Sequence, residues 1–486
     1  MKLRLLGVAA AALLVAGCGG NGGGSLPAGA SVVPGSAAAF IWIDTDLKSD
    51  QWRTAKALFD KFPGRAKLLA QLNKELTKQK LDFNRDVKPA LGDEFDVVFL
   101  DFAHNGNDVV GLAKPHNRAK FEQLVTSGPD PSVTGQVRGW TVVADKQALI
   151  DRFRTAANGK SIADDDAFSK AFGNLDDNTI ARAYVSGRAL EQAYERGFAG
   201  QTQVRPQDFV TFGPIVASAQ AQQGGARVDA DAEIHVKLKP DPTPDPYEAK
   251  LPRELPAGAL LYVSYAQLDR EVRATINELE RVLPNFRQQR AQVESALGTS
   301  LQHDIYPLLA GEAAFAIYPG APIPRFEFVL ALKNEAKARQ LLERVNALMA
   351  FGGAAAPRTV QVGAARVSEV KVPGRRVTVD YAVFDHKLVI ENGTAGIAAL
   401  QQHGAKLAED PLYKAARAND DTPTKSIGFV YANLRDGLPL AFKYARQSGS
   451  AIPADAVENT RPLQSLIVSF TRDGDHFTGA GFVGIK

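Results

Sequence analysis

The chain has 486 residues, of which 45% are apolar and 23% are charged, and its formal net charge is +3 at pH 7. This balance is ordinary for a folded globular protein and excludes a chain that is disordered throughout. Basic and acidic residues are interspersed without a basic stripe, which argues against nucleic acid as a partner.

The first thirty residues have the layout of a secretory signal followed by a tether. Lys2 and Arg4 precede an apolar run over residues 5–16, which is too short to span a bilayer. The run ends in "VAGC", which resembles the lipobox of bacterial lipoproteins, and this resemblance implies cleavage before Cys18 and acylation of its thiol. We therefore expect a signal peptide over 1–17 and a lipidated Cys18 with a Gly-rich tether over 18–30. The protein would then be extracytoplasmic and lipid-anchored to the bacterial cell membrane.

Cysteine usage limits the chemistry of the mature protein. Cys18 is the only cysteine in the chain. If lipid consumes this thiol, the protein has no disulfide, no cysteine metal ligand and no cysteine nucleophile. Its stability must then come from its apolar cores.

The remainder of the chain contains an internal repeat of about 200 residues. The paired segments are 31–47 with 253–269, 58–76 with 279–297, 85–95 with 303–313, and 165–177 with 409–421. Because order and spacing are kept, we expect two duplicated domains, over 31–238 and 253–486. The stretch "KPDPTPDPYEAKLP", beginning at 239, reads as a Pro/Asp-rich linker over 239–252.

The elements of each half are predicted in the same order. An apolar run, 37–43 or 259–265, indicates a buried strand, and a helical pattern follows that Pro63 or Pro284 interrupts. Further strands are predicted at 95–102, 108–114, 313–319 and 325–333, and another helix begins near Asn334.

Residues 226–239 show the clearest alternation in the chain, with Val228 and Ala230 on one face and Asp229 and Asp231 on the other. This pattern predicts a strand that packs its apolar face on a core and exposes its charged face to water, as in antiparallel sheets. The predicted fold class is therefore α+β. Each domain is expected to be an antiparallel sheet packed with helices on one side.

The stretch "RDVKPALGDEF", residues 85–95, gathers Asp86, Asp93 and Glu94 and suggests an acidic site. Its counterpart "HDIYPLLAGEA", residues 303–313, has Gly311 where the first copy has Asp93. What both copies keep is an aspartate, a proline, a glycine and a glutamate before a strand. This pattern favours a turn that leads into a strand over a site of chemistry.

Other candidate motifs favour structural interpretations. The glycine spacing in "GAGFVG", residues 479–484, lacks the following helix that a dinucleotide site needs. The acidic groups "DTD", "DDD", "DAD" and "DGD" do not continue as calcium loops, and no two histidines have metal-ligand spacing. We therefore predict no catalytic residue, no metal site and no cofactor, although distant residues that converge in the fold escape such a search.

Three blocks together resemble a known family. The segments "LPAGALLYVSYAQLD", "DIYPLLAGEAAFAIY" and "DVKPALGDEFDVVFL", with the lipobox, resemble the bacterial family called domain of unknown function 3352. The resemblance covers roughly residues 28–486. It implies an architecture and an envelope location, and it supplies no activity, cofactor or site residue.

Three functions are compatible with this sequence. The favoured one is a non-enzymatic, membrane-anchored protein that binds a hydrophobic ligand or an envelope partner, with an apolar pocket between helices and sheet. The residues expected to line this pocket are Trp52, Phe59, Phe62, Ile276 and Leu279. The alternatives are a structural or assembly protein of the cell envelope, and a hydrolase whose site is assembled from distant residues.

Overall fold

A computed structural model describes residues 24–104, 106–127, 131–198, 206–351, 357–372, 374, 377–419 and 424–486. The predicted signal peptide, 1–17, and the predicted lipidation site, Cys18, lie outside the described residues. The chain divides into two compact units. Unit 1 comprises Met1–Lys237, Pro453–Leu463 and Asp473–Lys486, and unit 2 comprises Leu238–Ile452 and Gln464–Arg472.

The described residues form strands and helices in alternating groups along the chain. The strands are β1 (Ala39–Asp44), β2 (Glu94–Phe99), β3 (Val109–Ala113), β4 (Val133–Val137), β5 (Trp140–Ala144), β6 (Ala181–Val185), β7 (Val210–Gln222), β8 (Gly225–Val236), β9 (Leu261–Ala266), β10 (Glu312–Tyr318), β11 (Arg325–Ala331), β12 (Arg358–Val362), β13 (Ala365–Lys371), β14 (Thr378–Phe384), β15 (Lys387–Glu391), β16 (Gly428–Asn433), β17 (Leu463–Asp473) and β18 (His476–Ile485). The helices are α1 (Asp50–Phe59), α2 (Arg65–Lys78), α3 (Arg118–Thr126), α4 (Gln147–Ala156), α5 (Asp166–Gly173), α6 (Gly187–Phe198), α7 (Leu268–Val282), α8 (Phe286–Leu297), α9 (Tyr306–Leu309), α10 (Glu335–Phe351), α11 (Ala395–Leu400), α12 (Pro411–Ala418), α13 (Leu434–Gln447) and α14 (Ala454–Asn459).

Each unit contains an antiparallel sheet, which confirms the predicted α+β class. In unit 1 the hydrogen-bonded order is β4-β5-β3-β2-β1-β6-β7-β8-β18. In unit 2 the order is β12-β13-β14-β15-β11-β10-β9-β16-β17. Seven consecutive strands, from β4 to β7 and from β14 to β17, therefore have the same order. The sheets differ in two further strands. In unit 1, β8 and β18 extend the edge at β7, and in unit 2, β13 and β12 extend the edge at β14.

Helices pack on both faces of the sheet in unit 1, so the expectation of helices on one side is wrong for this unit. In β5, Val142 belongs to a cluster with Ile150 and Phe153 of α4, whereas the next residue, Val143, packs with Phe121 of α3. Neighbouring residues of a strand point to opposite faces. The strands are apolar on both faces at such positions, and each face needs its own cover.

The last strand of the chain belongs to unit 1. β18 pairs with β8 over nine residue pairs, from His476 opposite Glu233 to Gly484 opposite Gly225. The predicted second domain, 253–486, therefore differs from the second compact unit. The repeat in the sequence does not reveal this pairing, because it is a contact between residues that lie about 250 positions apart.

The charged face predicted for residues 226–239 is not fully exposed to water, because part of it is buried in β8. Asp229 is 4% exposed and Arg227 is 5% exposed, whereas Val228 and Ala230 are half-buried. The Arg227 guanidinium donates from Nε to both carboxylate oxygens of Asp229, at 2.9 and 2.8 Å. Two opposite charges at positions i and i+2 point to the same face and can be buried as a pair, which alternation alone does not predict.

The segment 85–95 and its counterpart are turns held by equivalent bonds. The backbone N–H of Asp82 donates to Asp86, at 2.8 Å, and that of Ser300 donates to Asp304, at 2.9 Å. Both turns are short π-helical segments, Phe83–Val87 and Leu301–Ile305, followed by a proline within the next turn. The aspartates thus satisfy backbone donors at the entrance of these turns, as the structural interpretation of the motif expects.

The glutamate that ends this motif also has the same role in both units. Glu94 accepts from the backbone N–H of Gly29 at 3.0 Å and from Nε1 of Trp42 at 2.7 Å. Glu312 accepts from the backbone N–H groups of Lys250 and Leu251, at 2.8 and 3.0 Å. Each glutamate therefore fixes the segment that enters its sheet.

The helix pairs interrupted by proline are present as predicted. Pro63 separates α1 from α2, and Pro284 separates α7 from α8. Ser49 caps α1 by accepting from the backbone N–H of Trp52. Within the described part of the chain, no helix combines the length and the apolar character needed to cross a membrane.

Candidate ligand-binding site

The residues predicted to line an apolar pocket are half-buried on the helix pairs. In unit 1 the indole Nε1 of Trp52 donates to the Asp44 carbonyl at 2.9 Å, and Phe59 and Phe62 lie at the end of α1 and beyond it. In unit 2, Ile276 and Leu279 are half-buried on α7. The three cavities described below are lined by other residues, so a pocket at these positions stays a prediction.

Three cavities surround the beginning of α5 in unit 1. The first, of about 550 Å³, lies between the start of β1, the end of β2, and the segments 184–192 and 212–214. The second, of about 550 Å³, lies between Gly35 and the segment 159–167. The third, of about 440 Å³, lies between α5 and the strands β7, β8 and β18. Ala167, an exposed residue of α5, lines all three. We call them the α5 cavities.

A break in β7 forms one wall of the α5 cavities. The pairing register between β7 and β8 shifts between Phe212 and Ile215, which leaves Gly213 and Pro214 as a bulge. A bulge bends its strand, and Pro214 has no N–H to lose from the ladder. At the start of α6, a Cβ on Gly187 would lie 2.1 Å from the Phe212 carbonyl oxygen, so only glycine permits this approach.

The third α5 cavity has the most apolar lining. Leu175, Pro214 and Val216 form its apolar wall, and the charged groups Asp231, Glu233 and His476 lie on the strands opposite. Burial raises the pKa of Asp231, and the neighbouring His476 partly offsets this shift. An apolar cavity with a few polar groups at its edge is the usual form of a site for a small amphipathic ligand.

The first α5 cavity contains charges of both signs. Asp101, Asp165, Arg152 and Arg188 line it. Asp165 caps α5 by accepting from the backbone N–H groups of Ala167 and Phe168, at 2.8 and 3.1 Å. Burial raises the pKa of Tyr184, which also lines this cavity, to about 12, so its hydroxyl stays protonated at neutral pH. These groups can hold a polar head group by hydrogen bonds and ion pairs.

A group with metal-ligating atoms lies beside the first α5 cavity. Ligand atoms of Asp101, His104 and Asp108 lie within 4.8 Å of one another. The Arg152 guanidinium already contacts both carboxylates, Asp108 at 2.7 Å and Asp101 at a shorter distance, and His104 Nδ1 lies 3.0 Å from Asp108. Burial alone would raise the pKa of Asp101, but Arg152 lowers it overall. Arg152 therefore supplies the positive charge that a bound cation would bring.

Unit 2 contains a row of buried carboxyl groups that sequence analysis missed. Asp380 of β14 lies opposite Glu391 of β15, which lies opposite Glu327 of β11. Their exposed fractions are 1%, 3% and 0%, respectively. The half-buried Glu369 of β13 lies opposite Asp380 and extends the row. Cross-strand neighbours point to the same face, so four carboxyl groups are aligned.

Only some of the carboxyl groups in this row accept hydrogen bonds from neighbouring donors. Glu391 accepts from the backbone N–H groups of Gly396 and Ile397, both at 2.8 Å. Neither carboxyl oxygen of Glu327 has a hydrogen-bond partner among the described residues, and the Arg325 guanidinium lies 3.6 Å away. Burial therefore raises the pKa of Glu327 to about 7, against the effect of Arg325. Burial also raises the pKa of Glu391 and of Asp380.

The residues of the α5 cavities and of the carboxyl row had little signal in the sequence. Asp165 and Asp166 were visible as part of "DDD", and Asp231 as part of "DAD". Arg152, Tyr184 and Glu327 stand alone in their segments, and only strand pairing or helix packing brings them to their neighbours.

The fold and these cavities define a class of protein: an α+β protein of two units with antiparallel sheets and a concave region in unit 1. The sequence profile described as "Protein of unknown function (DUF3352)" matches residues 2–109 and 122–480. The chain belongs to this family. No curated protein matches the chain at a significant level.

Solved structures of one protein, TP0453, are similar to part of the chain. Its crystal form IV covers 47% of this chain and 76% of the TP0453 chain, with 12% identity and a TM-score of 0.24. Its crystal form III covers 50% of this chain and 96% of the TP0453 chain, with 11% identity and a TM-score of 0.23. TM-scores this low do not establish a shared fold.

Proposed function

We propose that this protein is an extracytoplasmic lipoprotein, anchored through Cys18, that binds a hydrophobic or amphipathic ligand without chemical conversion. The observation that carries the proposal is the group of three α5 cavities around Ala167. The third offers apolar wall residues. The first offers the exposed Arg188 for a polar head group, beside Arg152, Asp101 and Asp165, which already have partners in the protein. A ligand with an apolar body and a polar end fits this combination.

The anchor is the second part of the proposal. Cleavage before Cys18 would remove residues 1–17, and acyl chains on Cys18 would hold the protein at the membrane, since each buried methylene contributes about 0.8 kcal/mol. An anchored protein meets membrane lipids and envelope partners at high local concentration. This location supports a lipid-like ligand over a water-soluble metabolite.

We also infer that the two units arose by duplication of one ancestral domain. The common order of seven strands supports this inference, as do the paired roles of Glu94 and Glu312. A further equivalent pair is the isolated bridge between Pro34 and Ser161 and the one between Pro256 and Lys406. The α5 cavities lie in unit 1, where β8 and β18 are added to the sheet.

Native mass spectrometry of the protein purified from membranes tests the ligand. We expect a mass above that of the polypeptide with its covalent lipid, and release of a small amphipathic molecule on extraction. The variant Ala167→Trp places a large side chain at the centre of the α5 cavities and is expected to be isolated without this molecule. Ala167 is exposed, so the fold should tolerate the change.

The matched control is Ala415→Trp. Ala415 is an exposed residue of α12, the helix that aligns with α5, and it lines none of the cavities described here. This variant should carry as much ligand as the natural protein. Natural protein without a bound molecule, or equal ligand in the Ala167→Trp variant, would contradict the proposed site.

A further inference from the structure

The helix α2 leaves an apolar face exposed to solvent. None of its fourteen residues is buried. Leu68, Leu69 and Leu72 are 58%, 47% and 46% exposed, and with the half-buried Leu76 they follow the i, i+3, i+4 spacing that aligns side chains along one face. An apolar stripe on a surface helix normally packs on the core of its own domain. Here it indicates a contact with something outside the unit.

The opposite face of α2 is basic. Lys67, Lys74 and Lys78 follow the same helical spacing on the side away from the leucines. The segment 64–80 contains five basic residues and one acidic residue, Glu75. A helix with leucines on one face and lysines on the other has the composition of helices that lie in the interface of anionic membranes. Lysine side chains can extend from such a helix to lipid phosphates.

Two contacts attach the first turn of α2 to the rest of unit 1. They fix the orientation of the helix and therefore of its exposed leucines. The backbone N–H of Gly64 donates to Asn459 at 2.6 Å, and Lys67 pairs with Asp455 at 2.6 Å. A Cβ on Gly64 would lie 2.4 Å from the Asn459 side chain, which shows how closely the two segments meet. The contacts to α14 therefore engage the basic side of the helix.

The start of the described chain lies near the first turn of α1, the helix that precedes α2. The backbone N–H of Ser25 donates to Asp177 at 3.0 Å, and the side chain of Gln51, in the first turn of α1, donates to the adjacent Asn178 at 3.2 Å. Gly24 is the sixth residue after Cys18, so the tether can reach about 20 Å at most. A lipid on Cys18 would therefore keep this end of unit 1 close to the membrane.

We propose that the leucine face of α2 lies in the interface of a bilayer that contains anionic lipids. It is a second membrane contact beside the anchor at Cys18. The lipid surface matches both faces of the helix, because acyl chains take the leucines and anionic head groups attract the lysines. The contact is independent of any ligand in the α5 cavities, and a chain without lipid on Cys18 should retain it.

The helix α8 of unit 2 provides an internal comparison. Val293 of α8 is 57% exposed, as much as Leu68 of α2. Its arginines are already paired, however: Arg287 and Arg290 contact Glu280 at 3.0 and 2.8 Å. This helix therefore combines an exposed apolar residue with neutralised charges and serves as the control position.

Vesicle binding by residues 19–486, which include every described residue but lack the lipidation site, tests the proposal. We expect cosedimentation with vesicles of phosphatidylglycerol and phosphatidylcholine in equal parts, and much less with phosphatidylcholine alone. The double variant Leu68→Ser/Leu72→Ser should bind about tenfold more weakly, since the two half-exposed leucines lose their apolar contact. The double variant Lys74→Glu/Lys78→Glu should reduce binding to the level seen with phosphatidylcholine.

The control Val293→Ser should bind as the natural chain does. Of the substituted residues, Lys78 is the one with an ion pair in the described structure, and its partner is Glu75. Equal urea midpoints of the variants and the natural chain would show that the fold is kept. Binding of the leucine variant at the natural level, or no binding of the natural chain, would overturn the proposal. Dimers that form without lipid and disappear in the leucine variant would also overturn it, because a second copy would then cover this face.

Discussion

At the scale of single residues, Glu327 is a buried carboxyl group without a hydrogen-bond partner among the described residues. A buried carboxyl without a hydrogen-bond partner is costly when ionised, because the charge loses its hydration. The neighbouring Glu391 adds negative charge when it ionises and raises the pKa of Glu327 further, whereas Arg325 opposes this shift. Glu327 is therefore protonated in folded unit 2 over a range of pH in which the unfolded chain would ionise it.

Glu327 makes the stability of unit 2 depend on pH in a defined direction. Its pKa rises from the model-compound value of 4.5 to about 7 in the fold, so the folded state binds more protons between these values. The free energy of unfolding should therefore fall as pH rises from about 4.5 to about 7, by up to on the order of 3 kcal/mol. The raised pKa values of Glu391 and Asp380 act in the same direction.

The variant Glu327→Gln removes this titration with little change in shape. We expect urea unfolding midpoints close to the natural protein at about pH 5 and higher than the natural protein at about pH 8. The control is Glu343→Gln, because Glu343 is exposed on α10 and the change should leave the pH profile intact. A Glu327→Gln profile parallel to that of the natural protein would show that Glu327 is ionised throughout.

At the scale of elements, the segment that precedes β2 and β10 is a structural joint. Glu94 accepts one hydrogen bond from Gly29 in the segment that enters the sheet and one from Trp42 of β1. Glu312 accepts two from the segment that enters its sheet. Asp93, by contrast, has an 84% exposed side chain and has no counterpart in the second copy. The carboxylates of this motif therefore differ sharply in what they contact.

Substitution of these glutamates should lower the stability of the protein more than substitution of the adjacent exposed aspartate does. Glu94→Gln and Glu312→Gln each weaken bonds between a carboxylate and buried donors, and we expect each to lower the free energy of unfolding by about 1–3 kcal/mol. Asp93→Asn should change it by less than about 0.5 kcal/mol. Thermal unfolding of the three variants measures this order. A larger effect of Asp93→Asn than of Glu94→Gln would contradict the assignment.

The elements that the sequence predicts correctly have local causes. Pro63 and Pro284 interrupt helices because the ring removes an N–H and clashes with the preceding turn, whatever the rest of the chain does. Alternation identifies β8 as a strand, but not which face is buried, because Arg227 and Asp229 neutralise each other in the fold. The carboxyl row was not predictable, since it depends on the pairing of β11 with β15, two strands that are distant in sequence.

At the scale of the whole molecule, the repeat predicts two units but not where the last strand goes. β18 is encoded at the end of the second copy and pairs with β8 of unit 1. The third α5 cavity depends on this pairing, because His476 and Thr478 of β18 line it. A sequence repeat shows which segments resemble one another, whereas strand pairing is decided by the edges that the folded sheets leave open.

The proposed membrane anchor would determine where the ligand site and the leucine face of α2 can act. A protein held by Cys18 would present α2 to the bilayer and the α5 cavities to lipid-like molecules that leave it.

The intact mass of the protein purified from its native membrane tests this account most directly. The account predicts a polypeptide that begins at Cys18 and carries the added mass of acyl chains, both of which disappear in the variant Cys18→Ala. A natural protein that retains residues 1–17, or that begins at another residue without added lipid, would contradict it.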